Sequence, residues 1–162
     1  MTDFHALIRL LVENNVEFII VGGAAATVHG SARLTSDLDV VYGRTSENIH
    51  RMVEALRSIQ PYLRGVPPGL PFDWSAQTIQ KGLNFKLTTT LGALNLLGEI
   101  VGGGGYKELF PHTIDIEVAG VSCRCLNLER LIVVKRAAGR PKDLEVIAEL
   151  EQILSEERLD QG

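Results

Sequence analysis

Residues 16–42 read VEFIIVGGAAATVHGSARLTSDLDVVY, and the fold follows from this stretch. Val16 to Val21 is short, β-branched and mostly apolar, which predicts a buried strand running straight into Gly22-Gly23. The Ala24-Ala25-Ala26 run that follows favours helix, with a break near Gly30. The order is strand, glycine turn, short helix. At such a junction the first backbone N–H groups of the helix are unpaired, and glycine lets an anion such as a phosphate come close to them. A spacer of thirteen residues, 24–36, leads to Asp37-Leu38-Asp39-Val40. Leu38 to Tyr42 predicts a second strand, and its alternation sets Asp37 and Asp39 on one face and Leu38 on the other. Two neighbouring carboxylates repel each other unless a cation lies between them. Oxygen-only ligands suit Mg²⁺ or Mn²⁺, which also neutralise triphosphate charge. Taken singly, a Gly-Gly after a strand reads as a packing turn and an Asp-x-Asp as a solvated strand edge. The two at this spacing carry more.

On either side of this stretch the chain alternates regular elements with glycine and proline breaks. Phe4, Leu7, Ile8 and Leu11 predict a first helix with Thr2 as its cap, ending at Asn14-Asn15. A helix from Thr45 to Ile59 carries Ile49, Met52, Val53 and Leu56 inward. Residues 61–75, with four prolines and two glycines, predict an irregular connection. Leu83 to Thr90 and Ala93 to Leu97 predict a hairpin turning at Gly92, and the Gly102 to Gly105 run a flexible loop. Thr113 to Val118 and Val121 to Leu126 form a second hairpin around Ala119-Gly120. Two helices follow, Leu128 to Ala138 ending at Gly139, and Pro141 to Ser155 with Leu144, Ile147, Leu150 and Leu154 on its inner face.

At 162 residues, with 45% hydrophobic and 22% charged, the chain matches one ordinary globular domain rather than a disordered segment or a coiled coil. Its longest uncharged stretch, between Glu17 and Arg33, is too short and too interrupted for a bilayer span. The N-terminus lacks a basic start followed by a cleavage site, so a cytoplasmic location without a membrane partner is expected. Cys123 and Cys125, two apart on one strand, point the same way and are expected to be reduced thiols. The net charge of −4 argues against binding nucleic acid through overall electrostatics and leaves room for a local basic patch.

Hydrophobic-Gly-Gly, thirteen residues, then Asp-hydrophobic-Asp-hydrophobic resembles the pattern of the DNA polymerase β-type nucleotidyltransferases. Ala24, Ala26, His29, Gly30, Arg33 and Thr35 within the spacer also resemble the small nucleotidyltransferases of toxin–antitoxin and abortive-infection systems. Leu128-Glu129-Arg130-Leu131-Ile132 with Lys135-Arg136, then Arg140-Pro141-Lys142-Asp143-Leu144, looks like the terminal helices of the abortive-infection type. The resemblance implies an α+β nucleotidyltransferase fold in one domain over residues 1–162: a mixed β-sheet flanked by helices, with two C-terminal helices. It implies Mg²⁺- or Mn²⁺-dependent transfer of a nucleoside monophosphate from a nucleoside triphosphate to an RNA end (tRNA included) or a protein hydroxyl, with a toxin or antitoxin as partner. Asp37 and Asp39 would bind metal. Gly22, Gly23, Arg33, Thr35, Ser36, Lys135 and Lys142 would hold the nucleotide. Arg33 offers a fork of donors matched to phosphate oxygens. Arg136 and Arg140 belong to the same basic group, which can also serve as charge at the end of a helix. His29 reads as a structural group at a helix end.

The sequence departs from this pattern at one place. Enzymes of the superfamily add a third acid from a later strand, and in Gly92-Ala93-Leu94-Asn95-Leu96-Leu97 the matching position is Asn95. An amide oxygen ligates metal weakly and cannot take a proton from an attacking hydroxyl. Glu99, Asp115 and Glu117 are the acids that could replace it, and a nucleotide-binding module acting through a protein partner becomes the alternative to an enzyme.

Overall fold

The computed structural model describes residues 1–161. Helix α1 (Phe4–Glu13) leads into strand β1 (Phe18–Val21), helix α2 (Gly22–Val28) and strand β2 (Asp37–Tyr42). The cap of α1 is Asp3, not Thr2: its carboxylate accepts from the Ala6 N–H at 3.0 Å. Thr2 has another use. Its hydroxyl donates to the Ser36 carbonyl at 2.6 Å and accepts from the Ala93 N–H at 3.1 Å.

Helix α3 (Ser46–Arg57) is capped by Thr45 and buries Ile49, Met52, Val53 and Leu56. The connection after it is more ordered than its prolines suggest, holding strand β3 (Tyr62–Leu63) and leading into helix α4 (Ala76–Lys81). The cause is pairing: Leu63 lies opposite Leu87, a contact that local composition does not encode. Strands β4 (Asn84–Thr89) and β5 (Gly92–Leu97) form the expected hairpin. The Gly102–Gly105 run is no free loop either. Strand β6 (Glu99–Ile100) pairs with β7 (Gly104–Gly105) and runs on into helix α5 (Tyr106–Leu109). The second hairpin is β8 (Thr113–Val118) and β9 (Val121–Leu126). Helix α6 (Leu128–Ala138) stops at Gly139, whose φ of 65° is the left-handed closing turn glycine supplies. Helix α7 (Pro141–Gln161) runs beyond Ser155.

Seven strands form one sheet in the order β3-β4-β5-β2-β1-β9-β8. The β2–β5 and β1–β9 pairs are parallel and the other pairs antiparallel, so the sheet is mixed. One face carries Leu38, Val40 and Tyr42 of β2, Leu94 and Leu96 of β5 and Leu87 of β4, all fully buried. Alternation leaves the opposite face for Asp37, Asp39 and Asn95.

On α7, Ile147 and Leu150 are buried on the inner face as expected and Leu154 packs against the core, but Leu144 is 54% exposed. In the first turn Asp143, a carboxylate with cationic partners, takes the inward place instead. Among the described residues no helix is long and apolar enough to cross a membrane.

Asn48, fully buried at the start of α3, pins the end of the β1–β2 pair where Glu17 and Gly43 lie. Its Oδ1 accepts from the Glu17 N–H at 2.6 Å, and its Nδ2 donates to the Glu17 and Gly43 carbonyls at 3.0 and 2.8 Å. Removing it strands buried backbone groups, each worth about 1–3 kcal/mol. Asn48→Ala is expected to lower unfolding stability by about 2–4 kcal/mol, read as a lower denaturant midpoint at unchanged slope. A midpoint within error of wild type contradicts this.

Candidate functional site

The register of four strands builds the site. Val21 of β1 lies opposite Asp39 of β2, Asp39 opposite Asn95 of β5, and Asn95 opposite Lys86 of β4. Residues directly paired across a sheet share a face, so these four stand in one row with Asp37 one pleat away. Asn95, 7% exposed, faces both acids. Its Nδ2 donates to Asp37 Oδ2 at 3.0 Å and to Asp39 Oδ1 at 2.7 Å, while its Oδ1 is buried without a hydrogen-bond partner.

The glycine turn closes on the same row. Gly22 has φ 65°, and a Cβ there would collide with the Asp39 carboxylate. A Cβ on Gly23 would lie 2.6 Å from Thr35 Oγ1, and that hydroxyl donates to the Asp37 carbonyl at 3.2 Å. Both glycines are therefore needed for close packing of α2 against the acidic strand, whatever else binds there.

A cavity of about 400 Å³ opens above the row. Gly23, Arg33, Thr35, Ser36, Asp37, Asp39, Asn95, Lys135 and Lys142 all line it, together with Lys86, Arg140 and Asp143. Gly22 lines an adjoining cavity of about 350 Å³ that shares Asp39, Lys135 and Arg140 and has apolar walls from Val21, Leu131 and Val134. The structure thus brings every site residue expected from the sequence into two joined cavities. Arg33 is at the rim, paired with Glu145 at 3.4 Å with both side chains more than half exposed. Arg136 turns away to Glu151 on α7.

Of the three acids named as substitutes for the missing third carboxylate, Glu99 lines the smaller cavity with Asp39. Asp115 lies on β8, three strands from β2, within 3.8 Å of Arg124, and Glu117 follows it on that strand. Neither lines either cavity. His29 caps the end of α2 with a 2.7 Å contact between its Nε2 and the Leu126 carbonyl. Cys123 and Cys125 are free and buried, and burial pushes their thiols up to about 11 and about 12.

Sequence reasoning missed Lys86, Arg64 and Asp143. Asp143, 1% exposed, organises the basic wall. Its Oδ2 accepts from Arg140 Nε at 2.6 Å and its Oδ1 from Arg140 Nη2 at 3.1 Å, with Lys135 Nζ 3.5 Å from Oδ1. Burial alone would push the Asp143 carboxyl up. The hydrogen bonds and charge of Arg140, with Lys135, outweigh it and hold the group below the usual range. Asp39 goes the other way: burial raises its carboxyl and Asp37 adds to this, against the Asn95 hydrogen bond and the charges of Lys135 and Lys142. An acid row thus faces a basic wall with a cavity between them.

A divalent cation suits this donor set. Among the described residues no group of three or more His, Cys, Asp or Glu forms a self-sufficient metal site. Two carboxylates are what a Mg²⁺ ion arriving with phosphate oxygens needs from a protein. Turning the Asn95 amide over would bring its orphaned Oδ1 round to them as a third oxygen.

No protein-family model matches the sequence, and no curated protein matches it. Solved structures do resemble it in fold. The lincosamide antibiotic adenylyltransferase LnuA, crystallised with lincomycin, is 12% identical and superposes with a TM-score of 0.60, covering 91% of this chain and 94% of that one. An antigenic nucleotidyltransferase-like protein from Paracoccidioides brasiliensis is 18% identical with a TM-score of 0.51, over 90% of this chain and 72% of its own. The chain therefore has the nucleotidyltransferase fold expected from its sequence.

The raised carboxyl of Asp39 has a consequence for stability. Folded protein holds this proton more tightly than unfolded protein. Stability is therefore lost as pH rises from the ordinary carboxylate value, about 3.9, through the raised folded value. With divalent cations chelated, Asp39→Asn is expected to melt above wild type at pH 7, the gap closing as pH falls toward 4. A melting temperature below wild type at pH 7 contradicts the assignment.

Proposed function

We propose that this chain binds a nucleoside triphosphate together with Mg²⁺ or Mn²⁺ and transfers its nucleoside monophosphate to an acceptor hydroxyl on an RNA end or a protein, with pyrophosphate leaving. The observation that carries this reading is one cavity lined by Asp37 and Asp39, with Lys86 beside them on the sheet, and by Lys135, Arg140 and Lys142 from the α6–α7 junction. A tetraanionic triphosphate needs that basic wall, and two acids beside it are otherwise a source of repulsion.

In this reading Asp37 and Asp39 hold the cation, which when bound neutralises charge on the transferring and leaving phosphates. Lys135 and Arg140, held in place by Asp143, bind the outgoing pyrophosphate. Lys142, Lys86 and Arg33 line the path of the chain of phosphates, and the Gly22-Gly23 turn gives them backbone N–H groups. The acceptor oxygen attacks the α-phosphorus, a P–O bond forms, and the bond to the β-phosphate oxygen breaks. Asn95 positions Asp37 and Asp39 through its two N–H bonds and cannot accept the acceptor's proton, which passes to solvent or to Glu99 at the rim.

Asn95 also favours a second reading, a nucleotide-binding module with little turnover that works through a protein partner such as a toxin or antitoxin. The two separate in one assay. Each labelled nucleoside triphosphate is incubated with the protein, Mg²⁺ or Mn²⁺, and total RNA, a protein extract or small hydroxylated molecules. The fraction gaining label identifies the acceptor.

Transfer in wild type is expected to be slow and metal-dependent, and Asn95→Asp to raise it about 10²–10⁴-fold by restoring a proton acceptor. No label in any fraction from either protein, while the nucleotide still binds, replaces the enzyme by the module.

A further inference from the structure

The connection over residues 61–75 delivers one more residue to the acids. Arg64 directly follows β3, and its backbone N–H donates to the Lys86 carbonyl at 2.9 Å. Its Nη2 donates to the Leu87 carbonyl at 2.6 Å, and its Nη1 stands 3.6 Å from Asp37 Oδ2. The guanidinium is thus fixed by β4 and aimed at the acid, with about a third of its side chain exposed. Its Nε is buried and lacks a partner, so it is no freely solvated surface arginine.

Asp37 Oδ2 is therefore engaged twice, by the Arg64 guanidinium and by the Asn95 amide. Asp37 and Asp39 contribute −2, and Arg64 beside Asp37 with Lys86 opposite Asn95 contributes +2, so these groups sum to zero; a third acid at position 95 would make the sum −1, and loss of the Arg64 charge as well would make it −2. A second dication beside Asp37 would meet the fixed positive charge of Arg64.

We infer that the site takes one divalent cation per bound nucleotide, the Arg64 guanidinium standing as the fixed counter-charge of Asp37 where a three-acid row would accept a second ion. Arg64 is a positioning residue: it stands beside Asp37 as a counter-charge and fixes its orientation. The inference rests on the nucleotide-and-cation reading proposed above and goes beyond it in fixing the number of ions.

The test is equilibrium dialysis of the full chain against Mn²⁺ and a non-hydrolysable nucleoside triphosphate analogue, counting manganese retained per nucleotide retained. Wild type is expected to hold one Mn²⁺ per nucleotide. The double variant R64Q/N95D, with the counter-charge gone and a third acid in place, is expected to hold two. Two ions in wild type, which needs no variant to fold, overturn the inference. So does a count of one in a double variant with a native circular dichroism spectrum. If wild type retains nucleotide equally with and without manganese and holds no ion, the acidic pair is not a cation site and the reading beneath the inference fails with it.

Discussion

Everything at the site depends on the register that puts Val21, Asp39, Asn95 and Lys86 in a single row across four strands. A strand has a side-chain period of two, so slipping β2 by one residue would drive Asp37 and Asp39 into the core and bring Leu38 and Val40 out. The core resists that slip, because Leu38, Val40 and Tyr42 have no remaining exposure. Burial of one face thus holds the acids on the other. The same register brings the strand–helix turn against Asp39, which is why position 22 tolerates only glycine: it combines φ 65° with no room for a Cβ.

Charge is partly balanced within each wall, by Arg64 beside Asp37 and by Asp143 beneath Lys135 and Arg140, and what is left over faces the cavity. The acid row holds Asp39 in a state where burial and Asp37 both favour its protonated form, so a cation arriving there relieves an existing cost. On the opposite wall Asp143 does for Lys135 and Arg140 what a phosphate would do from the cavity side, keeping them extended toward it. Breaking a buried ion pair by removing one partner is far more disruptive than its net worth suggests. Asp143 is accordingly a structural anchor for the junction of α6 and α7 as well as an organiser of the site.

Much of this was legible in the sequence, and what escaped shares one physical origin. The strand, glycine turn, helix and acidic strand of residues 16–42 announce themselves through short-range patterns, and so does Asn95, because alternation in GALNLL leaves it no other face. Lys86 and Arg64 are invisible to such reading, since their places depend on which strands pair and in what register. Leu144 was expected inside because apolar spacing assigns it there. A buried carboxylate with two cationic partners overrode that spacing, as tertiary contacts commonly do. Gly102–Gly105 read as a loop for want of side chains, whereas the pairing of Ile100 with Gly104 supplies what local composition lacks. Asp3 rather than Thr2 caps α1 because the starts of β2 and β5 give Thr2 partners at Ser36 and Ala93.

The central claim is that the acid row and the basic wall form one site for a cation-bound triphosphate. Its most direct test is the affinity of a fluorescent nucleoside triphosphate analogue for the full chain, titrated with Mg²⁺ present and again with the ion chelated. Binding at least about tenfold tighter with Mg²⁺ is expected, since without the ion the phosphates meet two carboxylates of which Arg64 directly offsets only Asp37. Equal affinity in the two titrations, or tighter binding without the ion, would contradict it.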